Sequence, residues 1–470
     1  MSDAARIVIV GAGPAGVRAA ETLAAAGRRP IVLDEGARWG GQIYRQPPVN
    51  FVRSKRTLYG FEASRADSIH TTMAALLPHV DYWPDTLVWD CVGRQLETLR
   101  RGRVESVPFS HLILATGATD RILPFPGWTL PGVYTLGAAQ IALKAQGCAV
   151  GRRVVLAGTG PLLYLVAYQY AKAGARVTAV LDTTPFVRQM QASPRLMSQP
   201  AVFAKGLYYT AWLRTHGVPV HRGVTLLGAD GDECVTAMRW SENGRARSIA
   251  CDAVATGFGL RSETQIADLA GCKFVFDTLN RQWLPERDAM GRASVGGIYL
   301  AGDGAGIAGA DAAELAGRRA ALALIDDLGQ IGKVPDARRQ VRQLQSKLDG
   351  IARFRGGLEA AFAMPEDAPS RWPDDMVLCR CEEITVGTVR EIVRCGAATE
   401  INRVKALTRV GMGRCQGRMC GLALAELLAA ETSQPIAAIG RLRGQAPIKP
   451  VPLSIAADYP AAISEEARDE

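Results

Sequence analysis

Four of the ten cysteines stand in two close pairs near the end of the 470-residue chain: Cys379-Arg-Cys381 and, after 33 intervening residues, Cys415-Gln-Gly-Arg-Met-Cys420. Two thiolate pairs brought together by a helical segment can hold zinc or an iron–sulfur cluster. Cys-x-Cys is tight for zinc, whose paired ligands typically have two to four residues between them. The stretch Thr408-Arg-Val-Gly-Met-Gly413-Arg-Cys415 adds glycines whose N–H groups can donate to cluster sulfurs. Cys379, Cys381, Cys415 and Cys420 therefore point to [2Fe-2S], with structural zinc as the alternative. The other six, Cys91, Cys148, Cys234, Cys251, Cys272 and Cys395, are isolated and read as small buried apolar side chains.

A second chemistry begins at the other end. Arg6-Ile-Val-Ile-Val10 reads as a strand, Gly11-Ala-Gly13-Pro14-Ala15-Gly16 as a turn into a helix, and Ile31-Val-Leu33-Asp34-Glu35 as a parallel strand ending in acid. Gly11 permits the turn, Gly13 lets the backbone approach a pyrophosphate, and Gly16 lets the helix pack on the strand. The helix N-terminus offers free N–H groups to phosphates. Spacing favours Asp34 as the acceptor of ribose hydroxyls, with Glu35 the neighbour able to substitute. Three further segments narrow the nucleotide: Gly40-Gly41-Gln42-Ile43, His111 through Ala115-Thr116-Gly117, and Gly297 through Ala301-Gly302-Asp303-Gly304. In this order they are hard to explain except as an FAD site, with Asp303 placed for a ribityl hydroxyl.

The pattern recurs at Arg153-Val-Val-Leu-Ala-Gly158-Thr-Gly160-Pro-Leu-Leu163, which marks an inserted domain. Ala115–Gly117 and Ala255–Gly257 are the expected crossings. Over roughly its first 330 residues the chain resembles the thioredoxin-reductase-like branch of the two-dinucleotide-binding flavoproteins. In that family the insert binds NAD(P)H. Here Leu163 replaces the third glycine and should push helix from strand, and no Arg pair follows the second strand to hold a 2′-phosphate. Only Asp182 is there, suiting NAD rather than NADP, and the redox-active Cys-x-x-Cys is missing from the insert. On these residues a working NAD site and a vestigial one both stay open.

Residues 376 to 430 resemble the bacterioferritin-associated-ferredoxin-like [2Fe-2S] domain. Together the two modules resemble the alpha subunit of the bacterial multisubunit amine and amino-acid dehydrogenases, of the hydrogen cyanide synthase, opine oxidase and D-hydroxyproline dehydrogenase type. That resemblance implies an FAD-containing beta subunit that oxidises a C–N bond, a small ferredoxin-like gamma subunit in the same complex, and, in some relatives, FMN between subunits. This chain would then relay electrons through FAD and [2Fe-2S] towards an acceptor such as a quinone. The competing readings are a standalone NAD(P)H-dependent flavin/iron–sulfur reductase and an iron–sulfur sensor with vestigial flavin binding. No base for substrate chemistry stands out, since His70, His79, His111, His216 and His221 are scattered.

The expected architecture is α/β: a discontinuous Rossmann-like FAD domain (1–120 and 256–330) with an inserted second Rossmann-like domain (121–255). A linker (331–375) with a polar helix leads to a small helical [2Fe-2S] domain (376–430) and a C-terminal arm (431–470). Pro185 to Leu226 carries Phe186, Phe203, Tyr208, Tyr209 and Trp212, as a packing surface for another subunit or as ordinary core. Ala446-Pro-Ile-Lys-Pro-Val-Pro452 can form neither helix nor central strand and is expected to dock as an extended arm, with a disordered tail after about Ala457. The formal charge of +9 comes from scattered Arg without a basic block, which argues against nucleic acid. The uncharged run from Val154 to Ala171 is broken by Gly158-Thr-Gly160-Pro161, so it reads as strand, turn and helix rather than a membrane span. With no signal-peptide pattern, a cytoplasmic location is expected.

Overall fold

The computed structural model describes residues 5–454, apart from 49 and 52. The strand Ile7–Val10 is buried at every position, as a parallel strand covered on both faces requires. It pairs in parallel with Ile31–Leu33 on one side and His111–Leu114 on the other. Asp81–Trp83 and Ile298–Leu300 form the edges of this five-stranded sheet. On its face the helices Pro14–Ala25 and Ala310–Asp327 touch backbone to backbone, because a Cβ on Gly317 would lie 2.0 Å from the Ala15 carbonyl oxygen. Arg18 fastens that contact through Glu314 at 2.8 Å.

The insert leaves and re-enters through a two-stranded antiparallel ribbon, Ala118–Asp120 with Leu260–Ser262. Between them lies a second five-stranded parallel sheet, ordered Val220–Arg222, Arg176–Asp182, Arg153–Thr159, Ala253–Phe258 and Val133–Thr135. The return crossing thus comes later than the sequence suggests. Ala255–Gly257 sit inside a strand, and the small residue at 257 serves close packing: a Cβ on Gly158 would lie 1.9 Å from the Gly257 carbonyl oxygen. The run from Val154 is strand, turn and helix, the helix being Pro161–Lys172. No helix among the described residues is long and apolar enough to cross a membrane.

The aromatic stretch forms the helices Phe186–Leu196 and Pro200–Thr215, which turn Phe186, Val187, Met190 and Leu207 outward. The polar helix Ala337–Ala361 packs on the first of these through Phe354, Ala361, Ala192 and Leu196. Beyond it Met364 and Trp372 are buried in the core of the C-terminal domain, so this stretch is packed rather than loose. That domain contains a short hairpin (Val377–Cys379 with Ile384–Thr385) and the helices Val386–Arg394, Ile401–Thr408 and Gly421–Thr432. Its core also takes in Leu123 and Phe258 of the insert. The arm docks on the flavin domain: Ile448, 1% exposed, packs with Val88, Leu96 and Leu112, and its N–H donates to the Trp89 carbonyl. The expected tail after Ala457 lies outside the described residues. Among the six isolated cysteines Cys91, Cys251 and Cys272 are buried against the apolar cores; Cys148, Cys234 and Cys395 are exposed, contrary to expectation, on turns and loops that no core covers.

Candidate functional site

The glycine segments converge as bare backbone. Gly11 has φ +103°, and a Cβ on it would sit 2.4 Å from the Ala115 carbonyl oxygen. A Cβ on Gly16 would lie 1.8 Å from the Gly11 oxygen, and one on Gly41 2.9 Å from the Gly13 Cα. Gly302 abuts Ala15, and Gly304 abuts the Thr116 hydroxyl. The first turn of the helix Pro14–Ala25 holds no acidic side chain, so its N–H groups and partial positive charge are left open to an anion. This cradle fits a dinucleotide phosphate.

Around it, the carboxylate of Asp34 accepts N–H bonds from Ala12 and from Gly36 (2.7 Å), which places it on the glycine loop. Glu35 is exposed and pairs with Lys449 of the arm instead. Asp303 Oδ1 accepts from Ala308 (2.8 Å) and Gly309 (2.9 Å), just ahead of the second helix. Gln42 lies exposed at the rim. The Thr116 hydroxyl donates to the Glu263 carbonyl at 2.6 Å, and the Glu263 N–H donates to the Gly117 carbonyl, which joins this turn to the ribbon.

The second glycine unit is built differently. Leu163 is fully buried, in an apolar core with Leu156 and Tyr170. Asp182, at the end of the second strand, is also fully buried. One of its oxygens accepts from the Tyr164 hydroxyl (2.6 Å) and Gln189 (2.9 Å), the other from the Thr184 N–H (2.9 Å). A carboxylate so engaged has little left to offer a ribose. Phe362 then packs on Tyr164, and Arg222 donates to the same hydroxyl.

In the C-terminal domain Cys379 and Cys420 are buried, while Cys381 and Cys415 are half-buried. The thiols form a chain: Cys379 meets Cys420, Cys420 meets Cys415, and Cys415 meets Cys381. Among the described residues no three His, Cys, Asp or Glu side chains are arranged to grip a single ion. Contact with Cys420 and the N–H groups of Gly411, Glu382 and Cys381 brings the Cys379 thiol down to about 6. Cys420 and the N–H groups of Met419 and Gly417 bring Cys415 down to about 5. Backbone donors aimed at sulfur favour the thiolate form at these two; contact with them pushes the Cys420 thiol up, and burial pushes Cys381 up. Gly413 is needed here, since a Cβ on it would lie 2.4 Å from the Cys381 Cβ. The donor set and its N–H surround fit an iron–sulfur cluster.

Residues 5–320 match the pyridine nucleotide-disulphide oxidoreductase family. The chain belongs to that family. Residues 377–430 of this oxidoreductase match the BFD-like [2Fe-2S] binding domain, and the two modules mark a flavoprotein that carries FAD and [2Fe-2S]. It is 37% identical to an opine oxidase subunit of Agrobacterium tumefaciens (strain Ach5), over 98% of this chain and 93% of that protein. It is 35% identical to hydrogen cyanide synthase subunit HcnB of Pseudomonas aeruginosa, over 96% and 97%. Among solved structures, L-proline dehydrogenase from P. horikoshii shares the fold with a TM-score of 0.71 at 20% identity, over 96% of this chain and 79% of that one.

The oxidoreductase also holds site residues that no motif announces. Arg418, between two of the cysteines, donates to Glu263 at 2.7 Å and to the Ile448 carbonyl at 2.6 Å. Glu263 is the residue that fixes Thr116 and Gly117. The pair therefore joins cluster loop to flavin turn. Burial pushes the Glu263 carboxyl up, but the charges of Arg418 and Arg261 outweigh it and hold it below the usual carboxylate range. A depressed carboxyl contributes stability above its unfolded value of roughly 4.3 and loses it as pH falls through the folded one. Arg418→Gln is expected to cost about 3 kcal/mol at pH 7 by removing the direct partner of a buried carboxylate. Its deficit against the parent chain should shrink as pH falls from about 5 to about 3, which thermal unfolding at stepped pH will show; a deficit independent of pH would count against the pair.

Proposed function

We propose that this chain is the electron-relay subunit of a hetero-oligomeric, FAD-dependent amine or amino-acid dehydrogenase of the D-hydroxyproline, opine or glycine class. A partner subunit with its own FAD would oxidise the C–N bond, and the complex would also contain a small ferredoxin-like protein and an interfacial FMN. FAD exchanges electrons in pairs or singly and the cluster singly, which is the chemistry a relay needs. We assign FAD to Gly11, Gly13, Pro14, Ala15, Gly16, Asp34, Glu35, Gly41, Gln42, Ala115, Thr116, Gly117, Gly302 and Asp303, with Asp34 rather than Glu35 nearest the loop. The cluster falls to Cys379, Cys381, Cys415 and Cys420. Ten free cysteines agree with a reducing, cytoplasmic setting.

The observation that carries this reading is the engaged Asp182. A standalone reductase needs a nicotinamide site, and here the acid that would hold the ribose already serves Tyr164, Gln189 and Thr184. Anaerobic mixing of the purified chain with NADH, and separately NADPH, is expected to leave the flavin absorbance unbleached, while dithionite reduces it fully. Rapid bleaching by either nucleotide would overturn the relay reading in favour of the reductase.

A further inference from the structure

Between the ribbon and the cysteine domain runs a cleft of about 810 Å³ including its open mouth, lined by Arg121, Arg261, Gln265, Trp283, Gln416 and Leu442 among others. Arg121 follows one ribbon strand and Arg261 sits in the other, so both guanidiniums reach the cleft from the crossing itself. Arg121 is 6% exposed, and its hydrogen bond is to the Asn280 carbonyl at 2.6 Å. Arg261 donates to the carbonyls of Gly417 (3.4 Å) and Arg418 (3.1 Å). The carboxylates nearby are taken: Glu366 and Glu426 by Arg281, Asp268 by Arg441 and Arg443, Glu263 by Arg418. Among the described residues neither Arg121 nor Arg261 has a carboxylate partner. Carboxylates act on them only from a distance, Glu359 and Glu426 on Arg121 and Glu263 on Arg261, so an anion in direct contact with both guanidiniums would gain charge-assisted hydrogen bonds.

Gln265 supplies an independent observation. Its amide nitrogen donates to the Gln416 carbonyl at 2.8 Å, which leaves its own Oε1 buried without a partner and in need of a donor. We propose that this cleft binds a small oxyanion that keeps a hydroxyl, either hydrogenphosphate or a 2-hydroxycarboxylate. The charged oxygens would face Arg121 and Arg261, and the hydroxyl would donate to Gln265. An occupant there touches both the ribbon of the flavin domain and the loop between Cys415 and Cys420.

The test uses the full chain with its cofactors, titrated with sodium phosphate and separately with sodium lactate, against sodium chloride and acetate at matched ionic strength. A saturable calorimetric signal is expected with phosphate or lactate, along with a rise in Tm of about 3 °C at a hundred times the dissociation constant. Whichever anion saturates identifies the ligand's source. Arg121→Gln should weaken binding at least tenfold. Because that variant can perturb the ribbon, Gln265→Glu serves as the second: it puts a fixed negative charge in the cleft and removes the neutral acceptor, so the response to anion should vanish. An equal response to chloride, or an undiminished response in Gln265→Glu, would overturn the proposal.

Discussion

Cys415→Ser is expected to yield a chain that keeps its FAD absorbance and loses nearly all iron and acid-labile sulfide. Cys415 sits in the middle of the sulfur chain, touching Cys420 on one side and Cys381 on the other. Serine keeps the shape but offers a hard oxygen that stays protonated near neutral pH where iron calls for a soft thiolate. Even the hydrogen-bond partners of metal ligands are worth roughly 10–100-fold in affinity, so loss of a ligand should exceed that. Cys395→Ser is the control, since Cys395 is exposed on its own turn. Iron and sulfide analysis of both variants decides the matter. Unaltered contents in Cys415→Ser would mean that the four-cysteine assignment is wrong.

The second large effect is expected at Gly11. Alanine there meets two penalties together: a backbone at φ +103° that L-residues avoid, and a Cβ driven to 2.4 Å from the Ala115 oxygen. The left-handed conformation alone costs about 1–2 kcal/mol. The clash can be relieved only by parting the strands Ile7–Val10 and His111–Leu114, so a total of about 3 kcal/mol or more follows. The same movement spoils the turn that faces the pyrophosphate, so Gly11→Ala should purify with little FAD. Gly27→Ala separates the two causes. Its φ is +73° with nothing within 4 Å of the added Cβ, so it should cost about 1 kcal/mol and retain FAD. The flavin-to-protein absorbance ratio and Tm report both outcomes, and equal FAD contents in the two variants would remove the close-approach argument.

What the sequence made legible is what it encodes locally. The glycine turns, the acid after the second strand and the paired cysteines each lie within a few residues of their partners, so spacing reveals them. The late return crossing was less visible, because Gly257 has the look of a turn residue and serves as a packing surface for Gly158. Glu263, Arg418, Arg121 and Arg261 were invisible for a different reason. Each is an ordinary charged residue whose role exists only once the ribbon and the cysteine loop, over 150 residues apart in the case of Glu263 and Arg418, are folded together. Leu442 belongs with them: it packs on Gly411, Gly417 and Gly421, so those glycines serve a side chain from the arm as well as the cluster loop. Leu163, expected to push helix from strand, is fully buried in the core of the insert. The bonds that engage Asp182, on which the proposed absence of a nicotinamide site rests, come from Tyr164, Gln189 and Thr184, ordinary residues that spacing does not single out.

Ile448 makes the arm a tether common to both cofactor domains. It sits in a core whose other members run from Val8 to Ala305. Lys449 reaches Glu35 next to the glycine loop, and Arg418 grips the Ile448 carbonyl from the cluster side. Loosening the arm at this one position would therefore take a side chain from the flavin core and an acceptor from the cluster loop in a single event.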